Sequence, residues 1–262
     1  MHSASEDDSS TESKLTCIIL AGGYGKRLWP LTRSIAKPLL PIGDRVVLDY
    51  IMDRILELKE ITRVIISTNL KFRKDFEKWM RKYRDVDIEL VADQSSREEE
   101  KPGALKSLSS IISNISSDCL VIAGDNLFTS SLKSMIRKYG ELNAPLIALY
   151  DIGNLSSAKM YGVVEIDHRG RIINFEEKPE NPRSSLVSTG IYVYPHYISH
   201  YMKKYLEEGG EPDKLGSFIE WLHKRITVYG HLLEGEWWDI GSIETYHDAV
   251  EKLAGRHEQA ED

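Results

Sequence analysis

The first half of the chain alternates short apolar runs with longer amphipathic stretches: TCIIL, VVLDYIMDRILELK, RVIIST, FRKDFEKWMRKY, DIELV, GALKSLSSII and CLVIAG follow in that order. In VVLDYIMDRILEL the apolar residues Val47, Leu48, Ile51, Met52, Ile55 and Leu58 recur at spacings of three and four, which lays one hydrophobic stripe along a helix. Strand-length runs between such helices predict parallel strands, because parallel neighbours need a crossover and a right-handed helix supplies it. The expected fold class is α/β. It has three layers, α/β/α, around a central mixed, mostly parallel, doubly wound sheet.

The rhythm changes in the second half. GVVEID and RIINFEEKP flank His168-Arg169-Gly170, which predicts a β-hairpin whose turn uses the conformational freedom of Gly170. VSTGIYVYP predicts a strand closed by Pro195, and YISHYMKKYLEEGG a helix ended by glycines. ITVYGHLLEG adds a strand, and SIETYHDAVEKLAG a last helix with Ser242 as N-cap and Gly255 as its stop. No repeat or heptad array interrupts this order, so a single domain is expected over residues 14–255. Residues 1–13 are acidic and polar and predict a disordered tail. The segment QSSREEEKPG at 94–103 predicts a long exposed loop.

Composition narrows the function classes. A chain of 262 residues with 41% hydrophobic residues can bury a substantial core. Its net charge of -7 argues against a nucleic-acid partner, which needs a sustained basic surface. No run approaches the roughly 18 apolar residues of a membrane span, and the first residues lack a leader's basic-then-apolar order. No membrane partner and a cytoplasmic location are therefore expected. Cys17 and Cys119 lie in apolar runs and predict buried thiols rather than a disulfide or a zinc site. His196 and His200 stand four apart without a third ligand, and are expected at the surface.

LAGGYGKRLWPLT at 20–32 leaves the first apolar run as a glycine-rich loop. It is not a kinase-type phosphate loop, because Leu20 stands where a glycine is needed and Arg27 where a magnesium-binding hydroxyl is needed. It is not a dinucleotide fingerprint, because Leu28 replaces the third glycine and Pro30 interrupts the following helix. What remains is a loop whose Gly22, Gly23 and Gly25 let backbone N–H groups approach an anion, with Arg27 and Lys37 adding charge suited to a polyphosphate. A tight turn with solvated charges is the alternative.

Asp125 in CLVIAGDNLF falls just past the carboxyl end of a strand, where open α/β sheets collect ligands. Asp239 in WWDIGS lies beside Trp237 and Trp238, and a carboxylate walled by tryptophans needs a charged partner. Magnesium held by Asp125 and Asp239 accounts for both. In FEEKP, Lys178 precedes Pro179, which predicts extended backbone and a stiffly presented ammonium suited to a phosphate. No GxSxG elbow or Cys/His pairing supports covalent catalysis.

In their order, LAGGYGKRLWPLT with KPLLPI, GDNLF, YGVVEID, FEEKP, STGIYVY and WWDIGS resemble the sugar-1-phosphate nucleotidylyltransferases, and most of all the glucose-1-phosphate thymidylyltransferases. The resemblance covers about residues 15–250. It implies a Rossmann-like nucleotidyltransferase fold with a nucleotide-binding part at about 14–130 and a sugar-phosphate-binding part at about 131–255. The implied reaction joins a nucleoside triphosphate, dTTP or UTP, to a sugar 1-phosphate, glucose 1-phosphate foremost. It gives a nucleotide sugar and pyrophosphate by in-line attack. Guanylyl specificity and a non-catalytic nucleotide-sugar sensor are the alternatives.

The resemblance assigns the nucleotide to Leu20, Ala21, Gly22, Gly23, Gly25, Lys26, Arg27, Gln94, Gly103 and Asp125. It assigns the sugar phosphate to Tyr161, Gly162, Glu177, Lys178, Gly190, Tyr192 and Trp237, and Mg2+ to Asp125 and Asp239. Arg27, Lys37, Asp125, Lys178 and Asp239 become the catalytic set. Lys26 departs from the family's usual threonine. The 23 residues after Asp239 are too few for the β-helical acyltransferase domain that some relatives append, and a homo-oligomer is within the family's habit.

Overall fold

The computed structural model describes residues 14–258, so the acidic segment at 1–13 lies outside the described residues. β1 (Leu15–Leu20) is buried along almost its whole length, as expected of an uninterrupted apolar run covered on both faces. A short ribbon of β2 (Pro41–Ile42) and β3 (Arg45–Val46) leads into α1 (Val47–Leu56). Then come β4 (Ile61–Asn69), α2 (Arg73–Met80), β5 (Ile88–Asp93), α3 (Ala104–Ile112) and β6 (Asp118–Ala123). β1 pairs in parallel with both β4 and β6, and β4 with β5, so the first half is the strand–helix alternation read from the sequence.

Beyond β6 the chain runs through β7 (Asn126–Phe128), α4 (Lys133–Leu142), β8 (Leu146–Asp151), the single turn α5 (Leu155–Ala158), and the hairpin β9 (Gly162–Ile166) and β10 (Ile172–Glu177). β11 (Leu186–Tyr194), α6 (Ile198–Glu207), α7 (Leu215–Leu222), β12 (Tyr229–Leu232), β13 (Trp237–Asp239) and α8 (Ile243–Glu258) complete it. β11 runs antiparallel to β6, β8 and β9, and so joins the second half to the parallel strands in one mixed sheet, ordered β10-β9-β11-β6-β1-β4-β5 with β8 and β12 off that path.

Helices cover both faces. The stripe of α1 packs with Phe76 and Trp79 of α2, Met135 of α4 and Ala249 of α8 on one side, together with Cys17 and Ile19 of β1. Ile18 of the same strand meets α3, α6 and α7 on the other, with Cys119 among them. Adjacent residues of β1 serve opposite layers, as strand alternation requires. Both cysteines are buried and unpaired, and burial raises their thiol pKa values. Leu58 is buried although α1 has ended.

One helix boundary differs from expectation. Gly255 does not stop the last helix, which continues to Glu258. A single interior glycine costs a helix only about 1 kcal/mol relative to alanine. Ser242 does cap it, its hydroxyl accepting the N–H of Thr245 at 3.2 Å. The 94–103 segment is mostly exposed, as expected, and is anchored at Ser95. Ser95 is buried, donates through both N–H and hydroxyl to Asp93, and bonds the Tyr24 hydroxyl. Glu98–Glu100 form a 3-10 turn beyond it.

Candidate active site

Two clefts open beside the carboxyl ends of the parallel strands. The first has about 690 Å³ of space and is lined by Leu20, Gly22 and Gly23 after β1, Ser67 of β4, Asp93 of β5, and Lys101 to Ala104 at the start of α3. The second has about 620 Å³ and is lined by Tyr161, Gly162, Glu177, Lys178, Gly190, Tyr192 and Trp237, among others. Asp125 lines both clefts and Asp239 lines the second. All seven residues expected to hold the sugar phosphate therefore share one cavity.

The glycine loop is held by its carbonyls. Thr68 Oγ1 donates to Ala21 O at 3.3 Å, Asn69 Nδ2 to Gly22 O at 3.0 Å, and Thr32 Oγ1 to Gly25 O at 2.7 Å. What the loop then offers a ligand is N–H, the polarity an anion requires. Gly25 needs its lack of a side chain, because it sits at φ 61° and a Cβ there would lie 3.1 Å from Thr32. Thr32 is buried, which explains the threonine that ends the motif. Leu20, Gly22 and Gly23 face the first cleft, while Ala21 is buried just behind.

Arg27 is exposed in the Lys26–Leu28 turn, and its charge is felt by Asp239 and Tyr161 at the second cleft. Lys26 turns to the 94–103 segment, pairing with Glu99 at 2.8 Å and Glu98 at 3.2 Å. Those carboxylates raise its pKa.

Asp125 and Asp239 arrive from elements far apart in sequence. β7 and β13 form a two-stranded ribbon that sets Asn126 opposite Asp239, and the N–H of Ile240 donates to Asp125 O at 2.9 Å. Alternation along β13 separates the two tryptophans. Trp237 lines the second cleft and donates to Asn126 Oδ1 at 2.6 Å, whereas Trp238 donates to Asp248 of α8 at 2.8 Å. Only Trp237 therefore shares the cleft with Asp239, not both tryptophans as the sequence led us to expect. Lys37 closes on Asp125 Oδ2 at 2.8 Å. Asp239 has no such ion pair among the described residues. Burial and then the charge of Asp125 push its pKa up to about 6, against the opposing pull of Lys37, Arg27 and Lys178.

At the second cleft, Lys178 is not extended. It adopts φ 51°, with its N–H donating to Tyr161 O at 3.0 Å. A non-glycine residue held there costs about 1–3 kcal/mol, and such strain gathers where a side chain must be aimed. Gly190 interrupts β11 at φ 80°, where the register against β8 shifts between Ser188 and Tyr192. A Cβ on Gly190 would lie 2.8 Å from Asn126 Nδ2. Ser188 faces the cleft with a buried hydroxyl beside that of Tyr192. The edge-on pair of Tyr161 and Trp237, 5.3 Å between ring centres, walls the same space.

Gln94 is exposed and lines neither cleft, and the preceding Asp93 does so instead. Gly103 lines the first cleft. Sequence reading missed Asp93, Lys101, Asp213 and Leu215 in the first cleft, and Ser188 and Gly216 in the second. Asp93 carried a usable signal, since it ends a strand as Asp125 nearly does. His196 and His200 are exposed, and no group of three potential metal ligands occurs among the described residues. Magnesium suits the pair Asp125 and Asp239 nonetheless, because it takes one or two carboxylates and completes its shell with water and substrate phosphates.

Residues 16–256 match the family described as nucleotidyl transferase. The chain belongs to that family. A bifunctional protein GlmU from Methanococcus aeolicus is 31% identical over 228 residues, covering 87% of this chain and 51% of its own. A glucose-1-phosphate adenylyltransferase from a Thermotoga species is 27% identical, covering 88% of this chain and 59% of its own. The chain spans between half and three-fifths of the length of these curated relatives. Among solved structures, a Bacillus anthracis protein assigned as a glucose-1-phosphate thymidylyltransferase, in complex with a sucrose, superposes with a TM-score of 0.79 at 25% identity, covering 90% of this chain and 94% of its own. A UDP-glucose pyrophosphorylase complexed with UDP-glucose superposes with a TM-score of 0.78 at 22% identity, over 93% of this chain and 99% of its own, which bears on fold alone. The nucleotidyl transferase family member is thus a three-layer α/β/α protein with parallel strands at its centre. No helix among the described residues is long and apolar enough to cross a membrane.

Proposed function

We propose that this nucleotidyl transferase joins a nucleoside triphosphate, dTTP or UTP, to a sugar 1-phosphate, with glucose 1-phosphate the favoured acceptor. The observation that carries this reading is the position of Asp125, shared by two adjacent clefts, with Asp239 brought to it by the β7–β13 ribbon. The triphosphate takes the first cleft, under the glycine loop. The sugar phosphate takes the second. The nucleotide part, at about 14–130, supplies most of the first wall, but Asp213 and Leu215 come from the sugar-phosphate part at about 131–255.

Two anions must approach each other, so the chain's task is positioning and charge neutralisation. Lys178 grips the acceptor phosphate, Arg27 and the loop N–H groups take the triphosphate oxygens, and Lys37 holds Asp125 in place. An acceptor phosphate oxygen forms a bond to the α-phosphorus as the bond to the bridging oxygen breaks, and pyrophosphate leaves with that electron pair. Glu177, Ser188, Tyr161 and Trp237 orient the sugar ring. Magnesium bound by Asp125 and Asp239 would screen the repulsion between the phosphates. Support for the thymidylyl choice comes from the GDNLF segment and from the Bacillus anthracis neighbour. The supply of triphosphates favours a cytoplasmic site of action.

The test is incubation with magnesium, glucose 1-phosphate and each triphosphate in turn, followed by pyrophosphate detection. Release with dTTP or UTP is expected. No release with any sugar phosphate, from folded protein that binds the triphosphate, would replace turnover with nucleotide-sugar sensing.

A further inference from the structure

The connection between α6 and α7 touches both clefts, although it belongs to neither motif set. On the nucleotide side, Pro212 O accepts the N–H of Lys106 at 3.1 Å, and Asp213 Oδ1 accepts that of Ala104 at 3.0 Å. Asp213 Oδ2 pairs with Lys101 at 2.8 Å. Gly103 permits this approach, since a Cβ there would lie 2.4 Å from Pro212 O. Two residues after Asp213, Leu215 still lines the first cleft, while Gly216 lines the second.

Gly216 meets the catalytic half through Glu177. A Cβ on Gly216 would lie 1.8 Å from Glu177 Oε2, so the carboxylate rests directly against the backbone of the first turn of α7. That carboxylate accepts no hydrogen bond from the described residues, and burial raises its pKa. Further along α7, Glu220 Oε2 accepts the backbone N–H of Glu177 at 3.3 Å. The place of Glu177 in the second cleft is therefore fixed by a helix whose leading segment is clamped to the first cleft.

We propose that residues 212–216 form a partition that sets the sugar-phosphate cleft from the nucleotide side, with Asp213 and Gly216 as positioning residues acting through Glu177. The inference rests on the assignment of the two clefts made above. Ordering of the α3 entrance by a triphosphate is carried by Asp213 into α7 and reaches Glu177 across Gly216. Gly216→Ala displaces the carboxylate, the movable partner, rather than the sheet. Loss of its contact with the acceptor should raise the sugar-phosphate KM about tenfold, leaving the triphosphate KM within about twofold. Asp213→Ala should raise both, and Asp213→Asn, which keeps an acceptor for Ala104, should restore part of the loss. The double variant Asp213→Ala/Gly216→Ala should cost the sugar phosphate no more than the worse single variant.

Hydrogen exchange decides the matter without turnover. Triphosphate with magnesium should protect peptides over 101–107 and also over 172–178 and 215–222 in the unaltered protein, and Asp213→Ala should abolish the second protection. Protection confined to 101–107, or strictly additive KM effects, would overturn the partition while leaving the nucleotide cleft intact. Protection nowhere would overturn the cleft assignment and the partition together.

Discussion

Asp49 in α1 and Glu177 at the end of β10 both hold carboxylates away from water, but Asp49 accepts four hydrogen bonds and Glu177 accepts none through its side chain from the described residues. Asp49 takes the N–H of Val46 at 3.0 Å, the Trp79 indole at 2.8 Å, the Tyr83 hydroxyl at 2.9 Å and the Lys82 ammonium at 3.1 Å. Burial alone would raise its pKa, yet these bonds hold it below the ordinary value. Glu177 shows burial unopposed by bonds, eased only by Lys178 and Lys214 nearby, and its pKa is raised. The first arrangement ties α1 to α2 and is complete. The second, like Asp239 beside Asp125, is a carboxylate with no ion pair among the described residues. Of these two carboxylates the satisfied one belongs to the scaffold, and the unsatisfied one lines a cleft.

The contrast can be broken most forcefully at Asp49. Replacing it with alanine leaves the buried Trp79 indole and the half-buried Tyr83 hydroxyl without their acceptor. It should cost about 2–4 kcal/mol of unfolding free energy, the penalty for leaving two such donors unpaired, with the exposed Lys82 adding little. Denaturant melts measure this, and the folded fraction should keep its KM values. A loss under about 1 kcal/mol would show that the network is ornamental.

Asp239→Asn tests the opposite side. Because the carboxylate is held at a cost, stability should stay level or rise, while the rate of pyrophosphate release should fall roughly a hundred to a thousandfold. Asp125→Asn should lose a similar factor. Full activity in both variants would remove the two aspartates from the chemistry.

Glu177→Gln is the smallest and most diagnostic change. A raised carboxyl pKa means that the stabilising, protonated form prevails below the unfolded value of about 4.3 and is lost as pH rises through the folded value. The variant should therefore melt higher than the unaltered protein at pH 7 and equal to it below about pH 4. Asp49→Asn has the reverse sign. Its deficit is complete at neutral pH, and narrows as pH falls below about 3.9 toward the depressed folded value. Parallel pH profiles for the two variants would refute the distinction drawn between them.

Much of the frame was legible because its signals are local. The stripe from Val47 to Ile55, the hairpin turn at Gly170 and the buried run of β1 each follow from periodicity or turn chemistry within a few residues. The glycine loop was legible as a turn at a strand end for the same reason, and Gly22 and Gly23 do line the first cleft. Gln94 and Lys178 were not. A one-residue choice of which strand-end side chain faces the cleft put Asp93 there, and the bond from Lys178 N–H to Tyr161 O outweighed the extended preference that Pro179 imposes.

Period, glycine placement and charge are properties of short windows, and they were enough to give the layered α/β frame, the strand ends beside which the clefts open, and most of the residues that line the second cleft. Folding of the whole chain was needed to bring Asp125 and Asp239 together through the β7–β13 ribbon, to pair Lys26 with Glu98 and Glu99, and to set residues 212–216 between the two clefts. Those outcomes depend on contacts between segments about a hundred residues apart, whose closure is settled by packing of the whole chain and leaves no periodic trace in either segment.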